Sequence, residues 1–269
     1  MATSPTTHLT GRVAIVTGGT RNIGGGISKE LALRGAHVAM IYQNPATSAA
    51  AEAYARELES LGGGGRAVAI LADLADVASP ARIVKETLEK LKVEKIDIVV
   101  NNAAQGDWTA TQDITLERYA AVMDTNVRAP IMLVQAVLPH MPTGGRIINI
   151  SSFATRMVNI GPGIPPMPLY IASKIALEGL TQNWAVEFGQ SHGITANAVS
   201  VGFVETDLIA AMSAEQKEQI REGNAWRVAA APRPGTPDDV AQVVAFLASE
   251  GSRWVTGSTV SANGGTIII

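Results

Sequence analysis

Short apolar runs alternate with longer amphipathic stretches along almost the whole of this 269-residue chain. The apolar runs are continuous, which is typical of strands buried on both faces of a sheet. Strands that are separated by helices pair in parallel through right-handed crossovers. The alternation therefore predicts an α/β chain with a doubly wound, Rossmann-type fold, in which helices cover both faces of a seven-stranded, mostly parallel sheet.

The limits of the predicted elements come from the apolar pattern and from glycine and proline. The predicted strands are Val13–Thr17, Ala36–Tyr42, Ala67–Leu71, Ile96–Asn101, Arg146–Ile150, Ile194–Ser200 and Thr259–Ser261. The predicted helices are Ile23–Arg34, Thr47–Leu61, Pro80–Leu91, Leu116–Val137, Tyr170–Gln190 and Pro237–Ala248. Nothing indicates a second domain, so residues 1–269 are predicted to form one domain with a flexible N-terminus over 1–10.

Composition limits the classes of protein to which this chain can belong. Hydrophobic residues make up 46% and charged residues 17%, a globular balance. The net charge of -3 lacks the basic footprint that nucleic acids and anionic membranes require. No apolar run is long enough to span a bilayer and no targeting segment is recognisable, so a soluble cytoplasmic protein is expected. With no cysteine and four scattered histidines, no metal site is expected.

A glycine-rich turn, Thr17–Gly24, follows the first strand and opens the first helix. Glycines at this place let the backbone approach a pyrophosphate, which the free N–H groups of the helix start can bind. A plain tight turn is the other interpretation of the glycines. Their position between strand and helix favours a dinucleotide site.

The spacing in this turn resembles the T-G-x-x-x-G-x-G signature of the short-chain dehydrogenase/reductase family. Asn22 stands where that family usually has glycine or alanine, and asparagine tolerates left-handed backbone angles, so the turn is expected to survive. The resemblance implies cofactor contacts from Gly18, Thr20, Arg21, Asn22, Ile23 and Gly24.

The end of the second strand bears on the choice between NAD and NADP. An acidic side chain there would bind the ribose hydroxyls of NAD and repel a 2′-phosphate. The sequence Ile41–Asn44 contains no acid, and Arg21 is a candidate cation for that phosphate. By resemblance, Tyr42 and Asn44 lie beside it. NADP(H) is therefore the predicted cofactor, the other interpretation of Arg21 being a solvated surface charge.

Further segments extend the resemblance to nearly the whole chain. Asn101–Ala104 resembles the family's N-N-A-G motif, and Asn197–Thr206 resembles its N-x-x-x-P-G-x-x-x-T segment with Val201 replacing the proline. Further cofactor contacts implied by the resemblance are Asp73, Leu74, Asn102, Ala103, Tyr170, Lys174, Gly202, Val204 and Thr206.

Tyr170 and Lys174 begin a predicted helix, and their spacing of four places both side chains on one helical face. A neighbouring ammonium favours the phenolate, so we expect the pKa of Tyr170 to be lowered and the pair to exchange a proton with an alcohol or ketone. Ser152, at the end of the fifth strand, matches the family's third catalytic residue and could polarise a carbonyl. Ser151 is the alternative hydroxyl.

Asn126 completes the catalytic set that the resemblance implies. Pro130 lies four residues later and has no N–H, so the carbonyl group of Asn126 is expected to lose its helical partner. A carbonyl freed in this way could hold a water that links Lys174 to solvent. A simple kink at Pro130 is the other interpretation, and the two are compatible.

Bulky apolar residues near Ser152 and Tyr170 and after Thr206 are candidates for the substrate pocket, although some could belong to the core instead. They are Phe153, Met157, Ile160, Met167, Met212 and Trp226. Residues 206–232 are predicted to form a lid, and the proline-rich stretch Gly161–Pro168 is predicted to be a loop.

The pocket candidates favour a hydrophobic ketone of the polyketide, aromatic or cyclic kind. A 3-oxoacyl thioester and a sugar or polyol are alternative substrates, and a non-catalytic dinucleotide-binding regulator is an alternative class. The family resemblance further implies a homotetramer that packs through the helices of Asn126 and Tyr170.

Overall fold

The computed structural model describes residues 8–157, 166–207 and 228–268. Its seven strands form one parallel sheet in the order β3-β2-β1-β4-β5-β6-β7. The chain winds outward from β1 to β3, returns to the centre and winds outward again from β4. The predicted doubly wound fold is confirmed, and the strand order reverses between β1 and β4, where such sheets bind ligands.

The strands carry the apolar runs predicted for them, and most of their residues are buried. Their bounds are Val13–Thr17 (β1), His37–Tyr42 (β2), Ala67–Leu71 (β3), Ile98–Asn101 (β4), Arg146–Ser152 (β5), Thr195–Val201 (β6) and Thr259–Ala262 (β7). The fifth strand is longer than predicted and ends on Ser152, so this serine lies at the carboxyl edge of the sheet.

Helices connect the strands and cover both faces of the sheet. Their bounds are Asn22–Leu33 (α1), Ser48–Ser60 (α2), Ser79–Leu91 (α3), Leu116–Met123 (α4), Ala129–Val137 (α5), Pro168–His192 (α6) and Pro237–Ala248 (α7). Among the described residues, no helix is long and apolar enough to cross a membrane.

Two predicted elements differ from the structure. The single helix predicted over Leu116–Val137 is interrupted by one π-helical turn at Asp124–Arg128, because Pro130 supplies no N–H to the α-helical ladder. The helix predicted from Tyr170 begins at Pro168, since proline fits the first turn of a helix. That proline therefore does not belong to the predicted loop Gly161–Pro168, most of which (161–165) lies outside the described residues.

Apolar side chains on the two faces of the sheet build separate cores. On one face, α1 and α7 pack over strand residues such as Val16 and Ile148. On the other, α3 and α5 pack over residues such as Ile15 and Val99. Each fully buried isoleucine contributes about 2 kcal/mol, so the sheet forms a stable platform for the side chains at its carboxyl edge.

The predicted flexible N-terminus is described from His8 onward. Leu9 is buried and its N–H donates to the carbonyl oxygen of Arg34 at 2.9 Å, so this end of the segment is packed against the fold. Of the predicted lid at 206–232, the structure describes only the first two and the last five residues.

Candidate active site

The carboxyl ends of β1, β4, β5 and β6 meet at one edge of the sheet because the strands are parallel and adjacent. The glycine turn, the Asn102 segment, Ser152 and Gly202 follow these four strands in that order. Motifs that are far apart in sequence are thereby gathered into one crevice, the site predicted for a doubly wound sheet.

The glycine turn has the backbone that its sequence predicts. Gly18 has a φ of +64° and Asn22 a φ of +51°, so asparagine adopts the left-handed conformation expected of it. At Gly24 a methyl group would lie 2.6 Å from Nδ2 of Asn102, which requires glycine. Close packing of α1 against the turn therefore depends on Gly24.

The N-terminus of α1 fits an anionic group. The side chain of the N-cap residue Arg21 makes no capping hydrogen bond and no acidic residue lies in the first turn, whereas Thr236 and Asp239 cap α7 reciprocally. The N–H groups of Asn22 and Ile23, at the positive end of the helix dipole, suit a pyrophosphate. Gly18 and Gly24 leave space for it.

Thr17 fastens the glycine turn to the segment after β4. Its Oγ1 accepts hydrogen bonds from the backbone N–H groups of Asn102 (2.9 Å) and Ala103 (3.0 Å). The side chain of Asn102 in turn donates to the carbonyl oxygen of Thr17 at 2.8 Å. This arrangement gives the side chain of Asn102 a structural role beside the glycine turn.

Side chains at the end of β2 form hydrogen bonds with other residues of this chain. The hydroxyl of Tyr42 donates to Ser48 (3.0 Å), and Oδ1 of Asn44 accepts from the backbone N–H of Ala46 (3.0 Å). Gln43 donates to Oδ1 of Asp73 at 3.0 Å, so the strand end that lacks an acid of its own lies beside a carboxylate from the end of β3.

Leu74, another predicted cofactor contact, is buried in the core beside α3. Thr20 lies in the glycine turn and is partly buried. Gly202 is packed so closely against Asn263 that a methyl group would lie 2.7 Å from its Cα. Val204 is buried and pairs with Gly235.

Asp207 joins the segment after β6 to the glycine turn, 185 residues away in sequence. Its Oδ2 accepts from Nδ2 of Asn22 (3.1 Å), and its backbone N–H donates to Oδ1 of Asn22 (3.0 Å). The same carboxylate lies 3.5 Å from the guanidinium of Arg21, and both of these charged side chains are exposed. The cation predicted for a 2′-phosphate therefore has a carboxylate partner.

The two serines at the end of β5 have different partners. Ser151 donates a 2.6 Å hydrogen bond to Glu178. Ser152 accepts from the backbone N–H of Ala154 at 3.2 Å and is hydrogen-bonded to the hydroxyl of Tyr170. This geometry favours Ser152 over Ser151 as the hydroxyl beside the reacting group.

Tyr170 and Lys174 lie on one face of α6, as their spacing predicts. Nζ of Lys174 is 5.6 Å from the centre of the Tyr170 ring. Burial raises the pKa of Tyr170, and the hydrogen bond with Ser152 lowers it by less, so the expected lowering of this pKa is wrong for the protein without a bound ligand. Burial also lowers the pKa of Lys174 to about 8, so this amine loses its charge at a lower pH than a solvent-exposed lysine does.

Asn126 lies in the π-helical turn, and its side chain holds two other parts of the site. Its Oδ1 accepts from the N–H of Gln105 (2.7 Å), and its Nδ2 lies within hydrogen-bond distance of the carbonyl oxygen of Gln105 (3.0 Å) and of Oγ of Ser173 (2.9 Å). The hydroxyl of Ser173 donates to the carbonyl oxygen of Tyr170 at 2.7 Å. A π-helical turn is common at functional sites.

Three of the predicted pocket residues are described. Phe153 is buried, while Met157 and Met167 are partly buried. Ile160, Met212 and Trp226 lie outside the described residues. Trp108, which the sequence analysis did not select, lies against Gly106 in the segment after β4 and is 44% exposed.

Thr17, Gln105, Ser173 and Asp207 were not among the predicted site residues. Each lies within or directly beside a motif: Thr17 begins the glycine turn, Ser173 lies between Tyr170 and Lys174, and Gln105 and Asp207 directly follow the N-N-A-A motif and Thr206. Polar residues immediately beside catalytic motifs were the available signal, because they are close enough to hold those motifs in place.

Comparison with known proteins assigns this constellation to a family. The family model described as enoyl-(acyl carrier protein) reductase matches residues 18–266. The short-chain dehydrogenase/reductase FrzI of Cladobotryum sp is 44% identical over 268 residues, which cover 99% of this chain and 100% of FrzI. The chain belongs to the short-chain dehydrogenase/reductase family. As a member of this family it is an oxidoreductase.

Two other members of the short-chain dehydrogenase/reductase family are informative. The hydroxynaphthalene reductase-like protein Arp2 of Metarhizium robertsii is 38% identical, with 99% of this chain and 100% of Arp2 covered. The crystal structure of landomycin C-6 ketoreductase LanV with bound NADP and rabelomycin superposes with a TM-score of 0.80 at 34% identity, covering 96% of this chain and 97% of LanV.

Proposed function

We propose that this protein reduces the carbonyl group of a hydrophobic ketone of the polyketide, aromatic or cyclic kind with NADPH, and oxidises the corresponding alcohol in reverse. The observation that carries the proposal is the contact between Ser152 and Tyr170, with Lys174 buried beside them. These three side chains lie at the edge of the sheet where the uncapped N-terminus of α1 suits a dinucleotide.

Residues of this chain carry out the proton transfer. Tyr170, whose raised pKa keeps it protonated at neutral pH, donates its proton to the oxygen of the ketone. Ser152 donates a hydrogen bond to the same oxygen as negative charge develops on it. Lys174, held by the carbonyl oxygen of Ile150, favours the phenolate that remains. When bound, NADPH supplies the hydride.

Return of a proton to Tyr170 requires a path from solvent. We infer that the carbonyl group of Asn126, which Pro130 leaves without an α-helical partner, holds a water at the start of that path. The π-helical turn at Asp124–Arg128 supports this role, because Asn126 lies where the regular α-helical hydrogen bonding is interrupted.

The cofactor is NADP(H). The turn from Gly18 to Gly24 would bind its pyrophosphate, and Arg21 would bind its 2′-phosphate, with Tyr42 and Asn44 beside that phosphate by resemblance to the family. The absence of an acid at the end of β2 and the NADP bound in LanV support this choice. The remaining contacts are assigned to Asp73, Leu74, Asn102, Ala103, Gly202, Val204 and Thr206.

The substrate class follows from the apolar pocket candidates and from relatives whose names refer to hydroxynaphthalene and to a ketoreductase. Phe153, Met157 and Met167, which are close in sequence to Ser152 or Tyr170, are the described candidates for apolar contact with the substrate. The name of the matching family model keeps an acyl thioester as the second candidate. The turn at Leu138–His140 offers one histidine and no lysine or arginine for an acidic carrier protein, which favours the ketone.

A panel of ketones tests the proposal. The purified protein is incubated with NADPH, or with NADH at the same concentration, and with bicyclic aromatic, cyclic, acyl-thioester and sugar substrates, and the products are identified. We expect NADPH to be oxidised faster with the aromatic and cyclic ketones than with the thioesters and sugars, and faster than NADH is. Turnover of thioesters alone would favour the second candidate, and binding of NADPH without any turnover would favour a regulator.

Assembly into a homotetramer is part of the proposal. Leu116, Tyr119 and Ile175 are apolar residues of α4 and α6 that are exposed in the single chain, and association through these helices would cover them. Sedimentation of the protein as a monomer would contradict this assembly.

A further inference from the structure

Glu178 is a buried carboxylate one helical turn beyond Lys174 on α6. Tyr170, Lys174 and Glu178 follow one another at intervals of four residues, so they form a stripe along the helix. The stripe contacts three consecutive residues of β5: Lys174 binds the carbonyl oxygen of Ile150, Glu178 binds Ser151, and Tyr170 binds Ser152. The proton chemistry proposed above uses the first and third of these contacts and gives the second no role.

Three side chains donate to Glu178. Its Oε1 accepts from the hydroxyl of Ser151 at 2.6 Å and lies 2.9 Å from the hydroxyl of Thr155. Its Oε2 accepts from the guanidinium of Arg156 at 2.7 Å. Only 4% of Glu178 is exposed, and a carboxylate taken out of water in this way is tolerated when hydrogen bonds of this number replace its hydration.

All three donors belong to the segment that surrounds Ser152. Ser151 precedes it, and Thr155 and Arg156 lie in the 3-10 turn Phe153–Arg156 that it caps. The hydroxyl of Thr155 lies 2.9 Å from the carbonyl oxygen of Ser152 and 2.9 Å from Oε1 of Glu178, so its single proton is shared between the two. Glu178 is thereby connected to the backbone of Ser152 through one side chain.

We propose that Glu178 is a positioning residue for Ser152: it holds both sides of this serine against α6, so that the hydroxyl of Ser152 stays in contact with that of Tyr170. Glu178 also keeps the hydroxyl of Ser151 in a hydrogen bond, so that Ser152, and not Ser151, polarises the substrate. The inference rests on the proposed ketone reduction. A displacement of about 1 Å at a reacting group can cost 100-fold in rate, so loss of Glu178 is expected to lower turnover substantially.

Kinetics of Glu178→Ala and Glu178→Gln test the proposal. The alanine variant should lower kcat roughly 10- to 100-fold, with little change in the Kd for NADPH. Glutamine keeps an oxygen for Ser151 and Thr155 but turns an N–H donor towards Arg156, so it should recover part of the turnover. Equal loss in both variants would overturn the proposal. Glu187→Ala, at an exposed glutamate on the same helix, is the matched control and should behave as wild type.

A double-mutant cycle separates positioning from general damage to the fold. If Glu178 acts through Ser152, its replacement by alanine should cost almost nothing further in a Ser152→Ala background. If the losses of turnover in the two single variants multiply in the double variant, Glu178 acts independently of Ser152 and the proposal is wrong. Urea unfolding of each variant identifies a loss of activity that follows from loss of folded protein.

A spectroscopic readout does not require turnover. The ionisation of Tyr170 is followed by phenolate absorbance, with Tyr170→Phe variants to assign the signal. Because Ser152 lowers this pKa, Glu178→Ala should raise it by letting Ser152 move away. An unchanged pKa would overturn the positioning role. A wild-type protein that reduces no ketone would instead refute the proposed function, while this titration still decides the role of Glu178.

Discussion

Nζ of Lys174 donates a hydrogen bond of 2.7 Å to the carbonyl oxygen of Ile150, two residues before the carboxyl end of β5. This contact fixes the amine below the ring of Tyr170 and removes it from water, since Lys174 is 2% exposed. The burial that places Lys174 for proton chemistry is also what lowers its pKa to about 8.

The pH dependence of stability should reveal this burial. The pKa of Lys174 is about 8 in the folded protein and 10.5 in the unfolded chain, so the unfolded chain binds more protons between these values. The free energy of unfolding should therefore gain a component on the order of 3 kcal/mol as the pH rises from about 8 to 10.5. Lys174→Met should lack this component in urea unfolding at a series of pH values. Identical pH slopes in the two proteins would contradict it.

Removal of the Tyr170 hydroxyl tests the proton donor. Tyr170→Phe keeps the ring packed but removes the proton, so ketone reduction should fall by roughly 10²- to 10⁴-fold while the Kd for NADPH changes little. Because burial raises the pKa of Tyr170 above its ordinary value of about 10, titration of this donor should lower reduction by the wild type only in strongly alkaline solution. Stopped-flow measurement of NADPH oxidation and fluorescence titration of NADPH provide the two quantities. A variant that retains turnover would exclude Tyr170 as the donor.

Replacement of Asp207 should strengthen NADPH binding. Its carboxylate lies 3.5 Å from Arg21, so it would compete with the 2′-phosphate that Arg21 is proposed to bind. Because both groups are exposed, Asp207→Asn should lower the Kd for NADPH only about two- to fivefold. The Kd for NADH should be unchanged, and the gain should shrink in high salt. Asp238→Asn, in the first turn of α7, is the control, and equal gains for both cofactors would rule out competition at Arg21.

Restoring an N–H at position 130 tests the proton path. Pro130→Ala offers the carbonyl oxygen of Asn126 a helical partner, so turnover should fall more than the affinity for NADPH. Pro139→Ala, in the 3-10 turn Leu138–His140, serves as the control away from the site. Steady-state kinetics and cofactor titration of both variants make the comparison. Unchanged turnover in Pro130→Ala would count against a water held at Asn126.

Much of this protein follows from local sequence pattern. Continuous apolar runs separated by amphipathic stretches determine a parallel sheet, and parallel strands necessarily bring their carboxyl ends to one edge. The positions of Ser152 and of the glycine turn followed from this rule. Even the left-handed backbone of Asn22 could be predicted, because it depends on the residue type and its place in a turn.

Only the tertiary structure decided how these residues are partnered. The periodicity of Leu116–Val137 is the same with or without a π-helical turn, and no local pattern pairs Asn22 with Asp207 across 185 residues. The different partners of Ser151 and Ser152 depend on Glu178 and Tyr170, which are distant from both serines in sequence. The direction in which the pKa of Tyr170 shifts also depends on the tertiary structure, since desolvation depends on every group packed around the hydroxyl. Sequence pattern determines which side chains reach the edge of the sheet, and packing determines what each one touches there.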